Sequence, residues 1–282
     1  MITDPVLAGS AATARRRARR SLAVLALCAL VVLAALGAAG WFALRGHLTG
    51  ASPNSSPAAP SEPADQTDWD LAAETALATR PMLVLPEEAS APQPLAQRPA
   101  TGSVHLPEPT GDIAGVPAGF PNTPEGAVAA LAGLTSQGLR GADPRTYIRN
   151  YQAIAAPGAP PAEQAKLTRQ LREIRSSAGL APTGPRAGLT MGWRPVEAQI
   201  KGVADGGRYV VACVLGEFTA DYQGRLLAYG VGDCQALRWI ATDPATGASG
   251  QWLISPGAAA ADAPNVWPGS QDSVSAGYQA IR

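Results

Sequence analysis

The sequence predicts an α+β domain over residues 120–282, in which helices come first and an antiparallel sheet follows. Two observations carry this prediction. Apolar residues recur at helical spacing over 123–178, and alternation of apolar and polar residues replaces that spacing after Pro185. In this fold class the helices pack on one face of the sheet. The 163 residues of this stretch are enough for one substantial core.

Three helices are predicted at the start of the domain. Thr123-Pro124-Glu125 is a strong helix start, because it offers a threonine N-cap, a proline at the first helical position and an acid beside the positive end of the helix dipole. Asp143-Pro144 repeats this signal for a second helix, whose apolar stripe continues to Ile154. A third helix is predicted over 161–178, with Gly179 as its C-terminal cap.

Four strands are predicted after the helices. Residues 196–201 alternate between apolar and polar types, which indicates a strand with one solvated face. Asp205-Gly206-Gly207 is a hairpin signal that leads into a second strand over 208–218. A third strand is predicted over 226–240 and a short fourth over 251–255.

Two further features complete the predicted domain. Gly230 or Gly232 is expected to form a β-bulge that bends the third strand. The tail, 270–281, is expected to add a final helix.

An apolar segment near the start of the chain predicts a membrane anchor. Residues 21–44 carry no charge, and 24 residues at about 1.5 Å each cross a hydrocarbon core of roughly 30 Å. A cleaved signal peptide is the alternative, but its apolar region is usually about 7 to 15 residues, and a clean A-x-A cleavage site is missing here. An arginine cluster precedes the segment and places the N-terminus in the cytoplasm. Its members are Arg15, Arg16, Arg17, Arg19 and Arg20.

The sequence therefore predicts a cytoplasmic tail over 1–20, a transmembrane helix over 21–44, and extracytoplasmic chain from residue 45 onward. Residues 45–119 are expected to form a disordered linker, because 51–119 contains twelve prolines and has a net charge of −7. Two islands in it, Trp69–Leu77 and 82–86, are less polar. Three interpretations of these islands stay open: a docking strand, an arm lying on its own domain, or an exposed apolar patch without a role.

The cysteines predict one disulfide bond. Cys213 and Cys234 fall in neighbouring predicted strands outside the cell, where disulfides persist, and two buried thiols are the alternative. Cys28 lies in the apolar segment. A pair of cysteines without histidines falls short of a structural zinc site.

The residues of the domain give little support to catalysis. The two histidines, His47 and His105, lie outside 120–282, which removes mechanisms built on a histidine within the domain. No phosphate-binding loop motif is present. Carboxylate–phenol pairs remain, namely Asp221 with Tyr222 and Asp233 with Tyr229, and such pairs are common at hairpin ends. The sequence therefore predicts a protein that is not an enzyme and has no cofactor or metal.

Three segments carry a resemblance to a known family. They are 119–127, which opens the first helix, 229–234, and Trp267-Pro268-Gly269. Together with the order of tail, membrane helix, acidic stalk and outer domain, they resemble the bitopic scaffold subunits of type IV secretion and conjugation machines. These include the TcpC-like proteins, and the local features look like actinobacterial members of conjugative elements.

The resemblance implies a nuclear transport factor 2-like, cystatin-like cone for the outer domain. It also implies a non-enzymatic assembly platform in the cell membrane, whose partners are the lipid bilayer, protein subunits of a transfer complex and further copies of the chain. Direct sequence-specific binding of nucleic acid is not expected, because the net charge is zero.

Aromatic residues supply the candidate contact surface. Aromatics are enriched in interface cores, so Trp193 and Trp267 are the candidate contacts, whereas Trp239 and Trp252 are expected to fill the domain's own core. Two other functions stay open. One is a ligand-binding or isomerase-type domain that uses the open cone, which a carboxylate in an apolar pocket would favour and a filled pocket would not. The other is a cell-envelope sensor.

Overall fold

The predicted α+β class is confirmed by the computed structural model, which describes residues 69–241 and 250–282. These residues belong to one compact unit, Asp65–Arg282. The predicted cytoplasmic tail, the membrane segment and the first part of the linker lie outside the described residues. Among the helices of the described part, none is long and apolar enough to cross a membrane.

Five helices are present in the described residues. For the first two of the three predicted helices, a capping side chain explains where the helix begins. The Thr123 hydroxyl accepts a hydrogen bond from the backbone N–H of Gly126 at 3.1 Å, and the Asp143 carboxylate accepts one from Arg145 at 2.9 Å. The third predicted helix begins later than expected, because a separate 3-10 turn forms at Ala162–Gln164. The helices are α1 (Leu71–Thr79), α2 (Pro124–Gly138), α3 (Pro144–Ala153), α4 (Lys166–Ser177) and α5 (Gln271–Ser275).

In the part of the chain that the structure describes, eight strands form one large sheet and one small hairpin. The strands are β1 (Ser103–Val104), β2 (Gly111–Ile113), β3 (Val116–Ala118), β4 (Leu189–Ala204), β5 (Tyr209–Tyr222), β6 (Arg225–Ile240), β7 (Gln251–Ile254) and β8 (Gln279–Ile281). The main sheet has six of them, in the order β1-β8-β4-β5-β6-β7. It is mixed rather than wholly antiparallel, because β1 pairs with β8 in parallel. The separate hairpin joins β2 to β3.

Two sequence expectations about the sheet are wrong. The tail does not form one helix, since α5 ends at Ser275 and β8 then pairs with β4. The glycines of β6 do not form a bulge, because the β5–β6 register runs unbroken through both of them, whereas β4 carries the register shifts. Gly230 and Gly232 instead let another backbone approach. An added Cβ would lie 1.8 Å from the Val266 carbonyl oxygen at Gly230 and 2.6 Å from that of Pro264 at Gly232.

Both faces of the central part of the sheet are covered. On one face, buried apolar residues of α2 such as Leu131 and Leu134 share a cluster with Val210 and Val214 of β5. On the other face, Cys213 and its neighbours lie under a layer built from the segment before β1 and the segment between β7 and β8. This second layer includes Ala78, Ala89, Ala263, Val266 and Tyr278.

The described part of the predicted linker differs most from expectation. Residues 69–119 form α1, three short strands and a 3-10 turn at Glu87–Ser90 instead of an extended stalk. The segment 69–91, called the arm below, packs on the sheet, and its backbone is tied to the 261–267 segment. Ala261 N–H donates to the Ala78 carbonyl at 2.9 Å, and Trp267 N–H donates to that of Ala89 at 2.7 Å. Of the three interpretations of the apolar islands, an arm on its own domain is therefore the one observed.

Candidate functional site

A buried carboxylate lies between the helices and the sheet. Asp233 of β6 points to the helix side and is fully buried. Its Oδ2 accepts hydrogen bonds from the Thr135 hydroxyl of α2 at 3.1 Å and from the Tyr147 hydroxyl of α3 at 3.0 Å. Its Oδ1 accepts one from the Gln235 amide at 2.9 Å. Three side chains of this one chain therefore satisfy the carboxylate.

Lys166, the first residue of α4, stands beside this network. Its ammonium donates to the carbonyls of Gly232 and Ala263 at 2.8 and 2.7 Å and to Asn265 Oδ1 at 2.7 Å. These acceptors use all three of its protons. The ammonium therefore fastens the start of α4 to β6 and to the segment before α5.

Burial controls the protonation of this group of residues. It raises the pKa of Asp233, an effect that hydrogen bonds and the Lys166 charge partly oppose. Burial also lowers the pKa of Lys166 to about 8. The pKa of Tyr147 is raised well above its usual value by burial and by the Asp233 charge. Tyr147 therefore stays a neutral donor, which suits a structural hydrogen bond.

A cleft of about 640 Å³ opens near the network, between α4 and the 259–263 segment. Tyr151, Lys166 and Gln235 form part of its wall. Asp233 is not in the wall. Arg169 at the rim is paired with Asp262 at 2.6 Å. A ligand in this cleft would meet Lys166 only after displacing one of its present acceptors.

A second polar cluster lies on the opposite face of the sheet, under the arm. Arg238 of β6 forms ion pairs with Glu74 of α1 and with Asp205 at the β4–β5 turn, the latter at 3.0 Å. All three side chains are at least 95% buried. The Trp69 ring stacks on the guanidinium 3.6 Å away, and the Tyr209 hydroxyl donates to the Glu74 carbonyl at 3.2 Å.

The two carboxyls of this cluster have opposite pKa shifts. Burial and a hydrogen bond with Asp205 raise the pKa of Glu74 to about 7, against the lowering effect of Arg238. Burial also acts to raise the pKa of Asp205, but hydrogen bonds from Glu74, the Asp70 backbone and Arg238 outweigh it, and the net shift is downward. Glu74 is therefore the carboxyl that binds a proton first.

A lysine fixes the other end of α1. The Lys201 ammonium of β4 donates to the Ala78 carbonyl at 3.0 Å and to the Arg80 carbonyl, while the Arg80 guanidinium donates to the Lys201 carbonyl. A cation at the last carbonyls of a helix also complements its dipole. The arm is thus held by a buried cation at each end of its helix.

The predicted site residues have different outcomes. Cys213 and Cys234 are directly paired across β5 and β6 with a Cα–Cα distance of 4.0 Å, and they form the predicted disulfide. Trp193, the other candidate contact, is 7% exposed and packs in the domain's own core, where its indole N–H donates to the Val231 carbonyl at 3.0 Å. Trp267 is partly exposed and remains a candidate. The arginine cluster, Arg15 to Arg20, lies outside the described residues.

The other aromatic expectations also have structural outcomes. Trp239 and Trp252 form an edge-to-face pair with ring centroids 5.5 Å apart, and Trp252 is buried as expected. Tyr229 is exposed, so the phenol that meets Asp233 is Tyr147 instead. Asp221 has a turn role, since it accepts from Gly224 N–H at 2.9 Å.

Sequence reasoning missed the Arg238 and Asp233 networks because their partners are distant in the chain. The one available signal was the alternation of side chains between the two faces of β6. It places Asp233 on the same face as Val231 and Leu237 and so predicts an inward carboxylate.

In the described residues, no group of three or more His, Cys, Asp or Glu side chains is arranged to hold a metal ion. No family model, curated protein or solved structure matches this chain.

Proposed function

We propose that this protein is a non-enzymatic, single-pass membrane scaffold of a conjugative DNA-transfer complex of the type IV secretion kind. Residues 21–44 anchor it with the N-terminus in the cytoplasm. The outer domain, a nuclear transport factor 2-like cone, contacts other subunits and further copies of the chain. The apolar segment and its arginine cluster support the topology, and helices packed on one face of a six-stranded sheet support the fold.

One observation carries the non-enzymatic part of the proposal. The space between helices and sheet, where a cone of this kind would hold a ligand, is filled by the chain's own side chains. Asp233 is fully buried there and takes hydrogen bonds from three protein groups, and Leu131, Leu134 and Trp193 belong to the buried apolar cluster that fills this side of the sheet. A carboxylate without room for substrate is a structural group. The surface is then where this domain meets its partners.

The cleft beside Lys166 favours a second candidate, an extracytoplasmic domain that binds a small ligand or acts as an isomerase. A lysine with a pKa of about 8 at a cleft wall is a typical functional group. Its three hydrogen-bond acceptors argue for the structural role instead. Titration of the full-length protein with small carboxylates and phosphates tests this candidate. Binding is monitored through the NMR signal of Lys166, and saturable binding would establish the candidate.

Crosslinking in the native host tests the scaffold. We expect mass spectrometry of the crosslinked membrane fraction to recover a conjugation-type ATPase or channel subunits. Trp267→Ala is expected to reduce that recovery, whereas Val84→Ala, at a residue that is 91% exposed, serves as the matched control. Recovery of self-links alone, or of unrelated envelope enzymes, would overturn the transfer role.

A further inference from the structure

The outer edge of β6 is covered along much of its length. Near its end, Leu237–Ile240 pair with β7. Earlier, the Ala236 carbonyl accepts from Ser255 N–H at 2.8 Å, and the N–H and carbonyl of Gly232 meet Asn265 at 3.3 Å and Lys166 at 2.8 Å. Even-numbered residues of β6 therefore direct their backbone groups away from β5, as alternation in an antiparallel pair requires.

The start of β6 follows the same alternation but lacks a cover. The backbone N–H and carbonyl groups of Leu226 and Ala228 face the outer edge, and among residues 69–241 and 250–282 nothing pairs with them. Large apolar side chains are exposed beside them: Leu226 is 64%, Leu227 57% and Tyr229 44% exposed. An uncovered edge with apolar side chains and without lysine or proline is a template for strand addition.

We propose that residues 225–229 of two copies of this chain pair as antiparallel strands about a two-fold axis at Leu227. In that register Leu226 lies opposite Ala228 of the second copy, and their outward backbone groups bond to each other. Arg225, the segment's only charge, lies opposite Tyr229 of the second copy, where a guanidinium and an aromatic ring attract each other. Like charges do not meet.

The length of the free edge fits this register. The strand begins after the turn at Gln223 and Gly224. About the axis at Leu227, that turn of one copy falls opposite Val231 of the other, next to the point where Lys166 and Asn265 cover Gly232. Pairing therefore starts and stops where the uncovered edge does. The β7 region lies about ten residues further along β6, roughly 33 Å away, and leaves room for the second copy.

The proposed function includes contact between copies of this chain, and this pairing identifies the surface at which they meet. The proposal therefore rests on that function. An acidic peptide or another subunit would satisfy the backbone groups equally well, but it would not explain the self-complementary order of Arg225, Leu227 and Tyr229. The second copy is therefore the occupant that the residues select. Two outer sheets then join into one across the axis.

Cysteine crosslinking of the full-length protein in its native membranes tests the register. In a Cys28→Ala background, Leu227→Cys places two thiols across the axis, where Cα atoms about 4.5 Å apart lie within disulfide range. We expect at least ten times more disulfide dimer than from Thr190→Cys, an exposed position on β4. Arg225→Cys alone should give little dimer, and its combination with Tyr229→Cys should give a high yield.

A proline variant separates pairing from folding. Ala228 faces outward, so Ala228→Pro removes a donor to the second copy without removing a bond to β5. We expect it to lower the Leu227→Cys dimer at least tenfold while the melting temperature stays unchanged. Equal dimer from Leu227→Cys and Thr190→Cys, or linkage of the Leu227→Cys variant to a different protein, would overturn the pairing. Dimer at Leu227→Cys without recovery of channel subunits would instead overturn only the transfer role.

Discussion

Replacing Arg238 with methionine tests how the arm is held. The Arg238 side chain is 1% exposed, and its partners Glu74 and Asp205 are 5% and 2% exposed. Removal of one partner from a buried ion pair leaves the other charge without compensation and typically costs about 3–5 kcal/mol. Methionine keeps most of the volume under Trp69, so packing contributes little to the change. We therefore expect Arg238→Met to lower the free energy of unfolding by about 3–5 kcal/mol at pH 8.

Urea denaturation of the purified full-length protein measures this loss, and hydrogen exchange locates it. Protection should fall first in α1, because Arg238 holds that helix through Glu74. The matched control is Arg194→Met, which removes an exposed pair with Glu217 whose side chains are 68% and 31% exposed. Such a pair contributes less than about 1 kcal/mol. Equal losses in the two variants would refute the reasoning.

The pH dependence supplies a second check on the same residue. The pKa of Glu74 is raised from 4.5 to about 7, so its stabilising contribution is complete below pH 4.5 and is lost as the pH rises through 7. Without the Arg238 charge the pKa of Glu74 rises further and the pKa of Asp205 is lowered less, so the variant gains more from acidification than the wild type. The deficit of Arg238→Met should therefore shrink between pH 8 and pH 5. A deficit that grows toward pH 5 would contradict this assignment.

Three further changes test other parts of the structure by urea denaturation. Replacing both Cys213 and Cys234 with alanine should cost about 3 kcal/mol, because the bond closes a loop with a sequence separation of 21. Gly230→Ala should cost about 1–3 kcal/mol or more by forcing Val266 away, whereas Gly192→Ala, with open space around its Cα, should change stability by less than about 1 kcal/mol. Asp233→Asn should leave crosslinking partners unchanged and cost about 1–3 kcal/mol, because the amide nitrogen cannot accept a hydrogen bond where the carboxylate oxygen does; abolished partner recovery in a folded variant would show a functional carboxylate.

Local signals made the three helices after Thr123 and the four strands from β4 to β7 predictable, whereas the short helix and strand of the tail were not. Thr123 and Asp143 cap the helices that follow them, and alternation in β4 and β5 marks the sheet. The disulfide was predictable because hairpin pairing brings Cys213 and Cys234 together. These features depend on neighbours in sequence or on one turn, which a single chain reveals.

The arm was not predictable by the same reasoning. Prolines and acids are typical of an extended linker, yet Glu74 is neutralised by Arg238, which lies 164 residues further along the chain. Composition cannot show such a pairing, because it depends on which face of β6 an arginine occupies after folding. The same limit applies to Gly230, whose role depends on a backbone segment that approaches from beyond β7.

The distribution of polar groups separates the interior of the domain from its proposed contact surface. Asp233 and Lys166 direct their hydrogen bonds to the chain itself, so changes there act on assembly only through stability. The edge at Leu226 and Ala228 shows the opposite arrangement, because its backbone groups have no partner in the described chain. A variant such as Ala228→Pro should therefore impair assembly at full stability, and Arg238→Met should impair both together. The proposed scaffold role requires this separation, whereas an enzyme with its site between helices and sheet would lose activity through interior changes that leave stability intact.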